Sequence, residues 1–200
     1  MDQKSKIETL TNENHMIYKK LTLPLLLASC FSLHAEKHLF DGKTLKGWDG
    51  NPAHWSVQDG SIVGENTKEN PTKGNTFLIW KDGTLKDFDL SLDYKIEGGN
   101  SGIQYRSFIK PGKHDGWRIG GYQADFESGD RFSGICYGEA FRGILSMRGD
   151  KTTLSLDAKG KLQKKAENFG DSKEIGEAVK QGEWTQYRIT AKGSRVVHYI

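Results

Sequence analysis

Residues 117–127 read WRIGGYQADFE, and polar and apolar side chains alternate from Tyr122 onward. Successive side chains of a β-strand point to opposite faces, so Gln123, Asp125 and Glu127 share one face while the apolar positions share the other. Two adjacent glycines precede the alternation, and glycine within a strand often marks the close approach of a ligand. The stretch therefore predicts a strand whose polar face is a candidate binding surface.

Short strand-like runs recur on both sides of this stretch. Asp-Gly, Gly-Gly, Pro-Gly and Lys-Gly pairs separate them, and glycine accepts the positive φ that tight turns need. This spacing predicts an all-β antiparallel sandwich. The predicted strands are 55–57, 61–64, 76–80, 88–96, 101–108, 117–127, 143–148, 152–156, 185–192 and 196–200.

A single helix interrupts the strand pattern. Asp171 is a suitable N-cap, Glu174 completes a capping-box spacing, and a short apolar stripe follows, so we predict a helix near 172–181 that closes one end of the sandwich. The Lys- and Ala-rich segment 157–168 is predicted as a solvated loop or hairpin tip. The chain stops at Ile200 inside a strand-like run, so we expect the sandwich to lack its last strands.

The first 35 residues carry the pattern of a secretory signal. Lysines 19 and 20 precede an apolar run from Leu21 to Leu33, which is too short to span a bilayer, and Ala35 suits a cleavage site. We therefore divide the chain into an upstream tail and signal segment, 1–35, and a domain, 36–200. An alternative is the lipoprotein-like sequence LASC at 27–30, which would place a lipid anchor on Cys30. Either route predicts an exported protein: periplasmic, extracellular or an outer-envelope lipoprotein.

Composition and motifs exclude several classes of function. Lys and Arg number 29 against 26 Asp and Glu, without a dense basic run, which argues against nucleic-acid binding. The mature chain has no paired cysteines, no phosphate-binding glycine loop and no Gly-x-Ser-x-Gly elbow, which argues against zinc, phosphate and serine-hydrolase chemistry. Its single thiol, Cys136, is predicted to be buried and inert. We expect no cofactor, although loop aspartates leave a divalent metal open.

The polar strand face is the candidate site if neighbouring strands join it. Residues 101–108 and 143–148 would add Gln104, Arg106 and Arg148 to the face of Asp125. Aromatic residues beside amides and carboxylates are what sugar rings require, and Trp48, Trp117 and Tyr137 are predicted in adjoining loops. Trp55, Trp80 and Trp184 are assigned to the core. The plain alternative is a solvated outer face with ion pairs.

His114 is the histidine that we single out, because imidazole is the usual acid or base near neutral pH. It lies in the turn-rich segment 110–116, from which it could reach over a sheet face. An ordinary loop histidine is the alternative.

An ordered series of short motifs resembles the 3-keto-disaccharide hydrolase domain family. The series consists of LFDGKTLKGW at 39–48, WSVQDGSIVG at 55–64, FDL at 88–90, GGNSGI at 98–103, GYQAD at 121–125, GEW at 182–184 and YRI at 187–189. The resemblance covers residues 39–200. It implies a concanavalin A-like jelly roll in exported bacterial proteins that cleave glycosides carrying a ketone at C3 of the sugar.

The implied chemistry assigns roles to the candidate residues. A C3 ketone acidifies the C2 proton, so a base can remove it, the enolate can expel the C1 substituent, and water can then add. Asp125 or Glu127 would be the base and His114 the acid, while Arg106 and Gln123 would contact the enolate oxygen and hydroxyl groups. Further expected substrate contacts are Asn100, Gln104, Trp117, Tyr137 and Arg148.

Three other functions remain as alternatives at this point. Two carboxylates could hydrolyse ordinary glycosides through an oxocarbenium ion. The same jelly roll could be a non-catalytic carbohydrate-binding module of the bacterial cell envelope, because fold does not fix function. It could also be a surface interaction domain without a sugar ligand. For the first two, the partner is a carbohydrate or glycoside.

Overall fold

A computed structural model describes residues 36–112 and 116–200, and the part from His38 to Ile200 forms one compact unit. The predicted signal segment, the alternative anchor Cys30 and the candidate acid His114 lie outside the described residues and stay predictions. Within the described ranges, no helix is long and apolar enough to cross a membrane.

Thirteen strands and one short helix follow one another along these ranges. They are β1 (Trp48–Asp49), β2 (Trp55–Gln58), β3 (Ser61–Gly64), β4 (Ile79–Trp80), β5 (Phe88–Tyr94), β6 (Asn100–Ile109), β7 (Ile119–Glu127), β8 (Cys136–Glu139), β9 (Gly143–Ser146), β10 (Asp150–Leu156), β11 (Leu162–Asn168), α1 (Ser172–Gly176), β12 (Thr185–Lys192) and β13 (Arg195–Tyr199).

Two antiparallel sheets enclose the core. One has the strand order β6-β7-β8-β9 and the other the order β13-β12-β5. Aromatic rings fill the space between them: Tyr94 of the second sheet stacks on Phe126 of the first, with ring centroids 4.2 Å apart. Tyr187 and Ile189 are fully buried beside them. These contacts confirm the predicted all-β jelly-roll sandwich.

Some predicted loops are strands. Only residues 157–161 form the predicted hairpin tip; residues 162–168 are β11, which pairs with β10 over seven residue pairs, from Asp150 opposite Asn168 to Leu156 opposite Leu162. Tyr137 and Trp48 were expected in loops and lie on β8 and β1. These strands are short or largely exposed, so their sequences lack the apolar alternation that identifies a half-buried strand.

The predicted helix exists but is shorter than expected. The Asp171 side chain accepts hydrogen bonds from the backbone N–H groups of Lys173 and Glu174, as an N-cap should. The helix ends at Gly176 rather than near residue 181.

Trp184 does not belong to the core, contrary to the sequence assignment. It is 56% exposed, whereas Trp55 and Trp80 are half-buried. The reason is strand alternation in β12, where Thr185, Tyr187 and Ile189 face inward and the residue before Thr185 therefore points outward.

Candidate functional site

Strand register brings most of the predicted polar residues onto the outward face of the four-stranded sheet. Tyr105, Ala124 and Phe126 face the core. The predicted polar residues alternate with them along the strands and therefore face away from the core. The cross-strand pairs on the outward face are Asn100 with Glu127, Gly102 with Asp125, Gln104 with Gln123, and Gln123 with Tyr137. β6 therefore pairs with β7, which is the condition that the candidate face required, and β8 completes the face.

A buried carboxylate and amide lie at the centre of this face. Asp125 is 5% exposed and Gln123 is 7% exposed. The Gln123 Nε2 donates a hydrogen bond of 2.8 Å to the Asp125 Oδ1. The Gln123 side chain lies across Gly102, where a Cβ would come within 2.7 Å of the Gln123 Cγ and of the Ala124 carbonyl oxygen. Glycine at 102 therefore makes room for the amide that orients Asp125.

The environment of Asp125 raises the pKa of its carboxyl group towards neutral pH. Burial raises the pKa of Asp125 to about 6, because the charged form loses hydration. Hydrogen bonds from Gln123 and Asn100 lower the pKa, and the negative charges of Glu139 and Glu127 raise it further. A carboxylate with this pKa is mostly ionised at neutral pH and still basic enough to accept a proton.

Glu127 lies on the same face, but its carboxylate is hydrogen-bonded to the loop that follows β7. Its Oε1 accepts hydrogen bonds of 2.7 Å from the backbone N–H groups of Arg131 and Phe132. Its backbone N–H donates to the Ser133 hydroxyl. The predicted choice between Asp125 and Glu127 as base therefore favours Asp125, because the Glu127 carboxylate fixes the loop that follows β7.

Gln104 presents an unpartnered amide on the same face. Both its Nε2 and its Oε1 are buried, and neither has a hydrogen-bond partner among the described residues. Buried polar atoms in folded proteins nearly always have a partner, which is often an ordered water or a ligand. An amide that offers one donor and one acceptor group suits a sugar hydroxyl.

An ion pair at one end of the face was missed from the sequence. Glu139 on β8 is 4% exposed and accepts a 2.6 Å hydrogen bond from the Arg118 Nη2. The Asn75 Nδ2 donates to its other oxygen at 3.2 Å. The sequence signal was weak, because β8 has only four residues and Asn75 lies 64 positions from its partner.

Arg106 leaves the polar face, contrary to the period-two expectation. The register of β6 against β7 shifts between Tyr105 and Phe108, and Arg106 has a φ of 49°. Its Nη2 donates to the backbone carbonyl oxygens of Gly193 at 2.6 Å and Lys86 at 3.3 Å. The β-bulge breaks the alternation on which the prediction depended.

Arg148 also has a different place from the one predicted. Its guanidinium donates three hydrogen bonds of 2.8 Å to the carbonyl oxygens of Asp130, Ser133 and Ser172. It therefore ties together the loop after β7 and the start of α1. The predicted strand 143–148 is too long: β9 ends at Ser146 and Arg148 lies in the following turn, where strand alternation no longer applies.

Two predicted aromatic contacts have separate positions. Trp117 precedes β7, and its indole N–H donates a 2.9 Å hydrogen bond to the Asp49 Oδ1. Tyr137 is half-buried on β8, directly opposite Gln123. Tyr137 is thus the aromatic ring beside Asp125, whereas Trp117 holds the β1 segment against the end of the sheet.

Other titratable groups lie on the core side of the sheet. Tyr105 Oη lies 2.9 Å from the His198 Nε2 and 3.8 Å from the Cys136 Sγ. Burial raises the pKa of the Cys136 thiol to about 11, which keeps it protonated, as expected for an inert thiol. Among the described residues, no three His, Cys, Asp or Glu side chains lie close enough to hold a metal ion.

The described strands form a jelly-roll sandwich that carries a polar outward face. The chain belongs to the 3-keto-alpha-glucoside-1,2-lyase-like domain family, whose model matches residues 35–200, and this match confirms the resemblance seen in the motifs. It is 35% identical over 77 residues to a 3-keto-disaccharide hydrolase of Bacteroides thetaiotaomicron. That alignment covers 34% of this chain and 26% of the relative, so the chain matches about a quarter of that protein's length. No solved structure matches the chain.

Proposed function

We propose that this protein cleaves glycosides whose sugar carries a ketone at C3, by elimination of the C1 substituent followed by hydration. The observation that carries the proposal is the Asp125 carboxylate, which is buried on the outward sheet face and has a pKa of about 6. The family membership and the name of the relative support the substrate class.

Asp125 is the base in this proposal. Its carboxylate takes the C2 proton, and the C2–H electrons form the C1–C2 double bond as the C1–O bond breaks. Gln123 holds the carboxylate in place through its 2.8 Å hydrogen bond. The unpartnered Gln104 amide binds a sugar hydroxyl. The proton on Asp125 exchanges with solvent before hydration. Water then adds to C1, and Asp125 delivers a solvent-derived proton to C2.

Two-carboxylate hydrolysis through an oxocarbenium ion is less well supported. That reaction needs a second carboxyl group free to act as acid, base or nucleophile. The Glu127 Oε1 already accepts two backbone hydrogen bonds, and the Glu139 carboxylate is paired with Arg118 and Asn75.

The test compares a 3-keto glucoside with its unoxidised parent, and product release is followed by mass spectrometry. In D₂O, elimination and hydration should place deuterium at C2 of the product, beyond the exchange that the free keto sugar shows without enzyme. Asp125→Asn should lower kcat/KM by about 10²–10⁴-fold, the usual contribution of a general base. Asp89→Asn is the matched control, since Asp89 lies on β5 and pairs with Arg188.

Each other outcome points to a different function. Equal cleavage of the unoxidised parent without deuterium at C2 would indicate oxocarbenium chemistry and would contradict the proposal. Saturable sugar binding without product from a folded sample would indicate a carbohydrate-binding module. A melting temperature that no glycan shifts would favour an interaction domain.

A further inference from the structure

The proposed elimination leaves the departing aglycone oxygen in need of a proton, and this inference rests on that proposed function. An alcohol leaves poorly as an alkoxide, so a group on the protein must protonate it as the C1–O bond breaks. The two glutamates of the outward face are poorly arranged to do so. Glu127 accepts two backbone N–H hydrogen bonds, and Glu139 accepts hydrogen bonds from Arg118 and Asn75.

Tyr137 is the hydroxyl-bearing side chain next to the base on this face. It lies directly opposite Gln123 in the β7–β8 register, and Asp125 is two residues further along β7. Directly opposed residues of an antiparallel pair have Cβ atoms about 4.5–5.5 Å apart, and diagonal neighbours lie within reach of an aromatic side chain. Tyr137 and Asp125 are therefore both neighbours of Gln123 on one surface, Tyr137 across the strand pair and Asp125 along β7.

The Tyr137 hydroxyl is also uncommitted within the described residues. The hydroxyl makes no hydrogen bond with any described residue, and its oxygen is accessible rather than buried. By contrast, the buried Tyr105 hydroxyl lies on the core side against His198. A half-buried phenol on the outward face is placed to meet a substrate rather than to fill the core.

We propose that Tyr137, rather than the sequence-predicted His114, is the general acid that protonates the leaving aglycone, a role distinct from that of a stacking platform. As Asp125 takes the C2 proton, the C2–H electron pair forms the double bond to C1. The C1–O pair moves to the aglycone oxygen, which takes the phenolic proton of Tyr137. The resulting phenolate then removes a proton from water as the oxygen of that water bonds to C1, and Asp125 delivers a solvent-derived proton to C2. The sum is hydrolysis, and both side chains regain their starting states.

The test compares two 3-keto glucosides with different aglycones in wild type and Tyr137→Phe. One carries a sugar or alkyl alcohol, which needs a proton to leave, and the other carries 4-nitrophenol, which leaves readily as an anion. Loss of the acid should lower kcat/KM for the alkyl or sugar glycoside by about 10²–10⁴-fold. The nitrophenyl glycoside should lose less than about tenfold, because its departure depends little on acid catalysis. Tyr199→Phe is the matched control, since Tyr199 is an exposed tyrosine on β13.

Failure of the inference can be told apart from failure of the proposed function. Suppose that wild type cleaves both keto glucosides. If Tyr137→Phe then loses activity to the same extent on both substrates, or loses none on either, Tyr137 is not the acid. If wild type cleaves neither, the proposed function itself is wrong. A wild-type series of aryl and alkyl aglycones gives an independent measurement that needs no variant. A weak dependence of kcat/KM on leaving-group acidity is expected, and a steep one would overturn the assignment.

Discussion

Replacing Asp125 with asparagine should make the protein more stable at neutral pH while removing its activity. The pKa of this carboxyl is raised from 3.8 to about 6 in the folded chain, mainly by burial. The folded state therefore binds the proton more tightly than the unfolded state does. Stability is greatest when the carboxyl is protonated in both states, and it falls as the pH rises from about 3.8 through about 6.

The size of the effect follows from the shift. A difference of about two pKa units at about 1.4 kcal/mol per unit corresponds to about 3 kcal/mol of stability lost at neutral pH. Asparagine keeps an oxygen that can accept the Gln123 hydrogen bond and carries no charge. We therefore expect Asp125→Asn to raise the free energy of unfolding at about pH 7.5 by up to about 3 kcal/mol. For a chain of this length, that is about 6–12 °C in melting temperature.

The assay is thermal or urea unfolding of wild type and variant, each at about pH 4 and about pH 7.5. The difference between the two proteins should be small at the lower pH and large at the higher one. The other titrating groups are present in both proteins, so they cancel in this difference. Equal melting temperatures at neutral pH, or a difference that does not change with pH, would refute the argument that Asp125 is a destabilising buried carboxylate.

Three further predictions concern the residues around the site. Burial lowers the pKa of His198 from 6.5 to about 4, so its neutral form stabilises the fold and stability falls as the pH drops from about 6.5 towards 4. Urea unfolding is measured in an Asp125→Asn background, where the opposing carboxyl no longer titrates, and the free energy of unfolding should fall by about 3 kcal/mol over that range. His198→Gln should remove this pH dependence. An unchanged pH dependence in the variant would show that His198 is not its cause. Gly102→Ala should push Gln123 away from Asp125, lower stability by about 1–3 kcal/mol and move the pH–rate inflection upward; a variant with wild-type kinetics would show that the close contact relaxes freely. Arg148→Met should lower the free energy of unfolding in urea by about 2–4 kcal/mol, because three carbonyl groups lose a charged donor. It should change kcat/KM only a few-fold. A selective rise in KM would instead support Arg148 as a substrate contact, as the sequence predicts.

The sequence predicted those parts of the site that depend on regular alternation. Gln104, Gln123 and Asp125 lie on one face because β6 and β7 keep a constant register from Asn100 to Tyr105. Past Tyr105 the register shifts, and Arg106 turns away from the face. A bulge requires only one extra residue and leaves no clear pattern in a single sequence.

Contacts between distant segments were outside the reach of the sequence. The pairing of Glu139 with Arg118 and Asn75 depends on how β8 and the segment before β4 meet at one end of the sheet. Trp184 is a core residue in the sequence assignment, but the parity of β12 directs it outward. Residue type predicts burial only on average, and strand parity determines it at each position.

The position of Asp125 is fixed from the core even though its carboxylate lies on the other face. Its backbone carbonyl accepts hydrogen bonds from the Gly134 N–H at 2.9 Å and the Tyr187 hydroxyl at 3.4 Å. Its backbone N–H donates to the Ile135 carbonyl at 3.3 Å. Tyr187 is fully buried in the opposite sheet, so the two sheets together hold the main chain at Asp125. If Asp125 is the base, as proposed, this bracing should keep its geometry when substrate binds, because only side chains on the outward face need to adjust.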